Sequence, residues 1–368
     1  MSTIKVDTIT NGGSAVDFTT NAKIGDGTLK KEYYEQATEP AYPCEGALWL
    51  DTSDDTLHIY ANEYWYPTVA TAPIIFVGGN TALSTLGYSG GWLNTIEKIS
   101  IPTAGNSTDF GDLTLARAYC GACSSGSRVL VIGGTGGSDS DTIDYVTVAT
   151  PGNATDFGNL LASRIFCRAL SNGVVGVVGG GEVNNVSGGS NSMEYVTIAT
   201  TGNAQDFGDL IVATGEMAAA GNVNRGLFAG GYFNTTDVRT DVINYITPST
   251  TGNATDFGNL LAQVGRLDGA AGGTRALFFA GSLAGGALSD VIQYVTIATT
   301  GNATDFGDLL AAGRYAHATS NLTRAICIGA GAESSTSIEY VTIDTPGNAT
   351  DFGDLSSRGS NSASASGD

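Results

Sequence analysis

Residues 143–160 read Ile143-Asp144-Tyr145-Val146-Thr147-Val148-Ala149-Thr150-Pro151-Gly152-Asn153-Ala154-Thr155-Asp156-Phe157-Gly158-Asn159-Leu160. Apolar and polar side chains alternate through the first part, the period of a strand with one buried face. Gly152 and Asn153 tolerate positive φ and mark a tight turn. The segment recurs. Asp-Phe-Gly begins at Asp109, Asp156, Asp206, Asp256, Asp305 and Asp351, at spacings of 47, 50, 50, 49 and 46 residues.

Each copy contains the same parts. An apolar run ends in a small pair: Gly78-Gly79, Gly133-Gly134, Gly179-Gly180, Gly230-Gly231, Ala280-Gly281 or Gly329-Ala330. A loop leads to the tyrosine strand, where Lys98 stands in the first copy. From that position to the aspartate the interval is identical in all six copies, as from Tyr145 to Asp156. An arginine usually follows, as at Arg117, Arg164, Arg266, Arg314 and Arg358. Almost all length variation falls in the loop between the small pair and the tyrosine, so a rigid framework carries one adjustable face. A unit of 46–50 residues built from short strands has the size of a propeller blade. The stretch after Asp351 and the stretch before Gly78 together match the internal interval. A C-terminal strand, about 358–366, is therefore expected to complete the blade begun by Ile74-Ile75-Phe76-Val77, with residue 368 near residue 72. This closure leaves no free sheet edge. The fold class read from the sequence is all-β. A segment at 1–29 and a small β-meander at 30–71 precede a six-bladed β-propeller at 72–368.

Composition narrows the function. The 368 residues include 52 glycines, about twice ordinary usage, and only 14% are charged. The net charge of −20 excludes a duplex-DNA binder that works by neutralising phosphates, and argues against anionic membranes. No apolar run approaches a membrane span and the start shows no signal peptide. Five cysteines make no disulfide framework. Cys120-Gly121-Ala122-Cys123 lacks the second pair of a zinc site and reads as buried packing. The two histidines, His58 and His317, leave little material for a metal centre or a histidine-dependent triad. No cofactor and no metal are expected, although Asn153, Asp156 and Asn159 lie close enough in sequence to raise calcium as an alternative.

Asp-Phe-Gly stands without the other parts of a kinase site and reads as an Asp-capped turn with Phe packed between blades. Asn-Ala-Thr sequons at Asn153, Asn253, Asn302 and Asn348 are a by-product of the turn, since Asn203 precedes Ala-Gln. Arg128, Arg225, Arg275 and Arg324 share one repeat position and are expected either to ring a channel mouth or to pair with nearby aspartates. The variable loops are the functional candidates. Asn80, Tyr88 and Trp92 fall in the longest copy, Asn184 in the third, and Tyr232 and Phe233 in the fourth. Aromatic rings beside Asn, Ser and Gly suit sugar or protein recognition.

The repeats resemble kelch-type propellers in their apolar run, Gly-Gly, variable loop and tyrosine. The kelch tryptophan is replaced by Thr-Gly-Asn-Ala-Thr-Asp-Phe-Gly-Asp-Leu. The opening Lys5-Val6-Asp7-Thr8-Ile9-Thr10-Asn11 and the meander with Gly46-Ala47-Leu48-Trp49-Leu50-Asp51-Thr52 resemble segments of bacteriophage tail-fibre and related virion proteins. That resemblance implies a virion protein of tail-fibre type, made in the host cytoplasm. Residues 1–71 would attach it to other tail proteins, and the propeller loops would meet a host surface polysaccharide or protein. It also implies a homo-oligomer, a trimer in tail fibres. The alternatives are a virion decoration or connector protein and, more remotely, a carbohydrate-active enzyme. An enzyme is not expected, because the arginine triad and nucleophilic tyrosine of sialidases have no counterpart among these repeat positions.

Overall fold

The computed structural model describes residues 78–184, 188–233, 236–331, 335–357 and 362–367, together with the strands alone between residues 23 and 67. The chain divides between Pro73 and Ile74 into two units. In the first unit, Lys23–Ile24 pairs with Gly27–Thr28. Leu48–Asp51, Thr56–Ala61 and Tyr64–Pro67 form the expected antiparallel meander. Tyr33–Gln36 adds a parallel strand to its edge. The opening segment that resembles virion proteins lies outside the described residues.

The second unit is a six-bladed β-propeller. One blade consists of Gly121–Ser124 innermost, then Arg128–Ile132, Thr142–Thr147 and Thr155–Asn159 outermost, all antiparallel. The six innermost strands are Ser364–Gly367, Gly121–Ser124, Arg168–Ser171, Ala218–Gly221, Asp268–Ala271 and His317–Ser320, and they contact one another in that cyclic order. Their side chains are mostly Ala, Gly and Ser because six strands converge on one axis. The variable loops and the crossings between blades share the upper face. The tight hairpins and the Thr-Gly-Asn turns share the lower face.

The ring closes through the C-terminal strand, but not on the expected partner. Ser364–Gly367 pairs with Thr81–Thr85, with Ala365 opposite Leu83. Leu83 in turn faces Lys98, as Leu130 faces Tyr145 in the next blade. Pairing register therefore makes Thr81–Thr85 the second strand of the first blade. Leu86-Gly87 stands where Gly133-Gly134 stands in the second. Ile74–Val77 and residues 72 and 368 lie outside the described residues. The first variable loop, which starts after Gly87, is thus as short as that of the second blade.

The repeated motif proves to be the joint between blades. Asp-Phe-Gly is not an Asp-capped turn but part of the outermost strand, with the aspartates exposed on the outer edge. Charges there oppose edge-to-edge strand pairing. The Gly252 and Ala254 amides donate to the carbonyls of Phe207 and Asp209 of the preceding blade at 2.7 and 2.8 Å. Asn253 Oδ1 accepts from the Asp209 amide at 3.0 Å. The same set occurs at every junction, including the closing one, where Asn106 accepts from the Asp354 amide at 3.1 Å. The sequon asparagines are therefore occupied as joints. In the candidate calcium group, Asn153 serves the joint and Asn159 donates to Asp141.

A second tie crosses every junction. The residue before the tyrosine accepts a backbone N–H from the preceding blade: Asp144 from Thr114, Glu194 from Leu161, Asn244 from Ile211, Gln293 from Leu261, Glu339 from Leu310 and Glu97 from Ser356. All six acceptors are buried. Where an arginine is buried beside the acceptor, the acceptor is an acid: Arg117 meets Asp144 at 3.2 Å and Arg164 meets Glu194 at 2.7 Å. Where Thr214 or Val264 takes the arginine's place, the acceptor is the neutral amide of Asn244 or Gln293. A buried carboxylate without a partner is strongly disfavoured, which accounts for the match. At Glu339, whose repeat has Gly313 in that place, burial pushes the carboxyl pKa up.

Between blades, Phe257 and Leu260 pack with Phe278, Val295 and Ile297 of the next blade. Phe257 also meets Tyr245 edge-on at 6.2 Å. The set at Arg128, Arg225, Arg275 and Arg324 lies at the lower end of the second strands, and among the described residues it pairs with no aspartate. Each stacks on its own blade's tyrosine at 4.3–4.7 Å and donates to a carbonyl of the following blade. Tyrosine supplies the π-face and the next strand end supplies the carbonyl, so these guanidinium groups act as ties between blades.

Gly258 shows why the motif carries glycine. A Cβ there would lie 2.3 Å from the Gly301 carbonyl oxygen, at φ +146°, whereas a Cβ on Gly301 would meet nothing within 4 Å. Gly258→Ala is expected to destabilise the propeller by roughly 2–4 kcal/mol and Gly301→Ala by less than about 1 kcal/mol. Paired denaturant titrations check this; equal effects would refute the steric joint.

Candidate functional site at the channel mouth

Among the described residues, the upper end of the central axis is built from one repeat position, the tenth residue after the first five Asp-Phe-Gly aspartates; the sixth copy lies outside the described residues. The position holds Tyr119, Phe166, Glu216, Arg266 and Tyr315, and all five have positive φ, from 52° to 62°. Their backbones are linked blade to blade. The amides of Phe166, Glu216, Arg266 and Tyr315 donate in turn to the carbonyls of Tyr119, Phe166, Glu216 and Arg266, at 2.6–3.0 Å. The left-handed conformation points each N–H at its neighbour. It costs a residue with a Cβ roughly 1 kcal/mol, which glycine would avoid.

The side chains are in continuous contact, with Tyr88 exposed, Trp92, Tyr119, Phe166, Arg266 and Tyr315 partly buried, and Glu216, Tyr232 and Arg239 buried. Tyr119 lies 4.4 Å from Phe166, 6.4 Å from Trp92 and 6.5 Å from Tyr315, between ring centroids and edge-to-face. Tyr88 extends the row, 4.9 Å from Trp92. Arg266 sits between Tyr232 at 4.5 Å and Tyr315 at 5.2 Å, and its Nε donates to Glu216 Oε2 at 2.7 Å. Arg239 covers Tyr232 at 4.8 Å and reaches Asp237 at 3.1 Å. Burial raises the Glu216 pKa, against the pull of Arg266. Burial raises Tyr315 likewise, reinforced by Glu216.

Below the mouth the axis is plugged. Arg168 Nε lies 3.4 Å from Asp268 Oδ1, and Asp268 also accepts the Gly269 and Ala318 amides. His317 Nδ1 is 4.0 Å from Asp268 Oδ2, while His317 Nε2 accepts the Ser362 amide at 2.8 Å. The cavity at this level measures about 30 Å³, and another towards the lower face about 100 Å³. Both fall far short of a small-molecule pocket of several hundred Å³. Neither is large enough to enclose a small molecule within the axis. Among the described residues, no group of three or more His, Cys, Asp and Glu is placed to hold a metal.

Three of the sequence candidates, Tyr88, Trp92 and Tyr232, belong to the mouth assembly. Asn184 lies on the same face with its amide on the Ser163 carbonyl, and Phe233 follows Tyr232 in a short strand pair. Asn80 is a correction. It precedes the first blade's second strand, so it lies at the lower end and accepts from Asn321 Nδ2 at 3.0 Å. The arginines after Asp-Phe-Gly also separate: Arg117 and Arg164 are buried ties, whereas Arg266 reaches the mouth. Tyr119, Phe166, Glu216 and Tyr315 were not among the sequence candidates. Their signal was a repeat position, at a constant distance from the Asp-Phe-Gly aspartate, whose side chain changes in kind from copy to copy. No protein-family model matches the chain, and no curated protein matches it.

Burial holds the His317 pKa well below its usual 6.5, with Arg168 acting in the same sense. Below about pH 6.5 the unfolded chain takes up a proton that the folded imidazole refuses, so the stability contributed by His317 is full above that pH and falls beneath it. In an NMR titration the His317 ring protons are expected to stay at neutral-imidazole positions as the pH falls through the usual 6.5. A midpoint near 6.5 would refute the Ser362–His317 bond.

Proposed function

We propose that the chain is a virion structural protein of the bacteriophage tail-fibre type, whose propeller presents its upper face to the host surface. The reading of residues 1–71 as a particle-attachment region rests on their likeness to virion proteins, and the kelch-type likeness of the repeats accords with a recognition scaffold. The observation that carries the recognition role is the channel mouth. There the repeat sets aromatic and charged side chains of different kinds in a backbone conformation that favours glycine. The Asp-Phe-Gly strand and the Gly-Asn turn of the same repeat are nearly uniform. Side chains kept at a conformational cost, and varied from blade to blade, answer to something other than the fold.

A connector or decoration role has one observation in its favour. Leu115, Leu161, Ile211, Leu261 and Leu310 are exposed where the outermost strands end at the upper rim, between 49% and 61% accessible. Such a rim suits packing against a protein neighbour.

The test is competition. The purified full chain, added to host cells before the phage, is expected to block adsorption. The Tyr119→Gly variant, which keeps the backbone conformation without strain, is expected to fold and to lose at least about tenfold in potency. A folded chain that leaves adsorption unchanged at saturation would turn the assignment to a connector.

A further inference from the structure

The chemistry of the mouth also points to a ligand class. Its row of rings runs from Tyr88 through Trp92 and Tyr119 to Tyr315. Arg266 ends the accessible row and is backed by the buried Tyr232 and Arg239. Rings supply apolar faces, while the tyrosine hydroxyls, the indole N–H and the Arg266–Glu216 pair supply donors and acceptors. A pyranose has the complementary form, with a face of C–H groups and a rim of hydroxyls.

Charge decides between sugars. The local cations are engaged, Arg266 by Glu216 at 2.7 Å, Arg239 by Asp237 at 3.1 Å and Arg314 by the Tyr315 ring at 5.5 Å. The chain as a whole carries −20, and the repeat places an exposed aspartate at the outer edge of every blade. An anionic saccharide would approach through a repelling field and meet cations that already have partners. A neutral one meets no such barrier, and the Arg266–Glu216 pair can both donate to and accept from hydroxyls.

Size and rigidity agree with this. The cavities along the axis are too small to enclose a small molecule. The chain of backbone hydrogen bonds holds the platform in place before binding, and aromatic anchors lose little side-chain freedom on contact. We therefore infer that the mouth binds a neutral, hydroxyl-rich saccharide. One pyranose lies over the Tyr119–Tyr315 rings and pairs its hydroxyls with Arg266 and Glu216. The inference rests on the mouth being the recognition face, and names what it recognises.

Trp92 is one of three tryptophans, so Trp49→Phe/Trp65→Phe in the full chain makes it the sole indole reporter. This protein is titrated with neutral oligosaccharides of glucose, galactose, mannose and N-acetylglucosamine, and with oligouronates, up to about millimolar. Binding is read by Trp92 fluorescence and by saturation transfer to the sugar protons. At least one neutral series should give a saturable response that weakens at least about tenfold in Tyr119→Gly and in Arg266→Met, while the uronates give none. The thermal midpoints of the variants report that they are folded. No response from any neutral sugar, or an equal response from the uronates, overturns the inference. The two readings fail separately. A chain that blocks adsorption yet ignores every sugar keeps the recognition role and loses the saccharide, with a protein receptor as the outcome. A chain that binds the sugar yet leaves adsorption unchanged keeps the saccharide and loses the host-surface role.

Discussion

At each blade junction a glycine of the outermost strand faces the carbonyl oxygen of a glycine in the next blade, at a separation that leaves no room for a methyl group. A Cβ on Gly111 would lie 2.2 Å from the Gly152 oxygen, and a Cβ on Gly158, Gly208, Gly258, Gly307 or Gly353 would lie between 2.3 and 2.5 Å from its counterpart. This approach lets the Thr-Gly-Asn-Ala turn lie against the Asp-Phe-Gly strand, so that two amides and an asparagine side chain bond across the junction. Blade spacing is set there. The constant interval from tyrosine to aspartate follows, because strand and turn must reach the next blade with the same geometry at every step.

With the lower half of each junction fixed, the upper half is free to vary. The six buried acceptors before the tyrosines tie the blades near the crossings, and a buried arginine matches the charge at Asp144 and Glu194. The loops above them differ in length without disturbing the ring. Closure by the C-terminal strand makes the structure a single cooperative circle, in which the first blade depends on residues from the far end of the chain. The plug of Arg168, Asp268 and His317 shares in this closure, since His317 holds the amide of Ser362 just before the closing strand.

The two levels of the repeat differ in kind. In the joint each position uses one residue type for one geometric role, with Gly giving close approach and Asn accepting across the junction. The mouth position holds Tyr, Phe, Glu, Arg and Tyr with one backbone conformation and one hydrogen-bonding pattern. A comparison among the blades of one chain thus separates what the ring requires from what it carries.

Periodicity alone determined the all-β class, the six blades, the C-terminal closure and the surface on which variation gathers. A repeated strand-and-turn pattern can satisfy its backbone only by pairing and stacking copies of itself. Tertiary structure decided the rest. Ile74-Ile75-Phe76-Val77-Gly78-Gly79 matches the repeat better than Thr81-Ala82-Leu83-Ser84-Thr85, yet pairing with Lys98 and Ala365 makes the second stretch the strand. Apolar patterning cannot choose a register between two nearby runs; hydrogen bonds to distant partners can. For the same reason Asn80 falls on the lower face, away from Tyr88 and Trp92. Tyr119, Phe166, Glu216, Arg266 and Tyr315 each lie a full repeat apart along the chain, and only the closing of the ring brings them to one mouth.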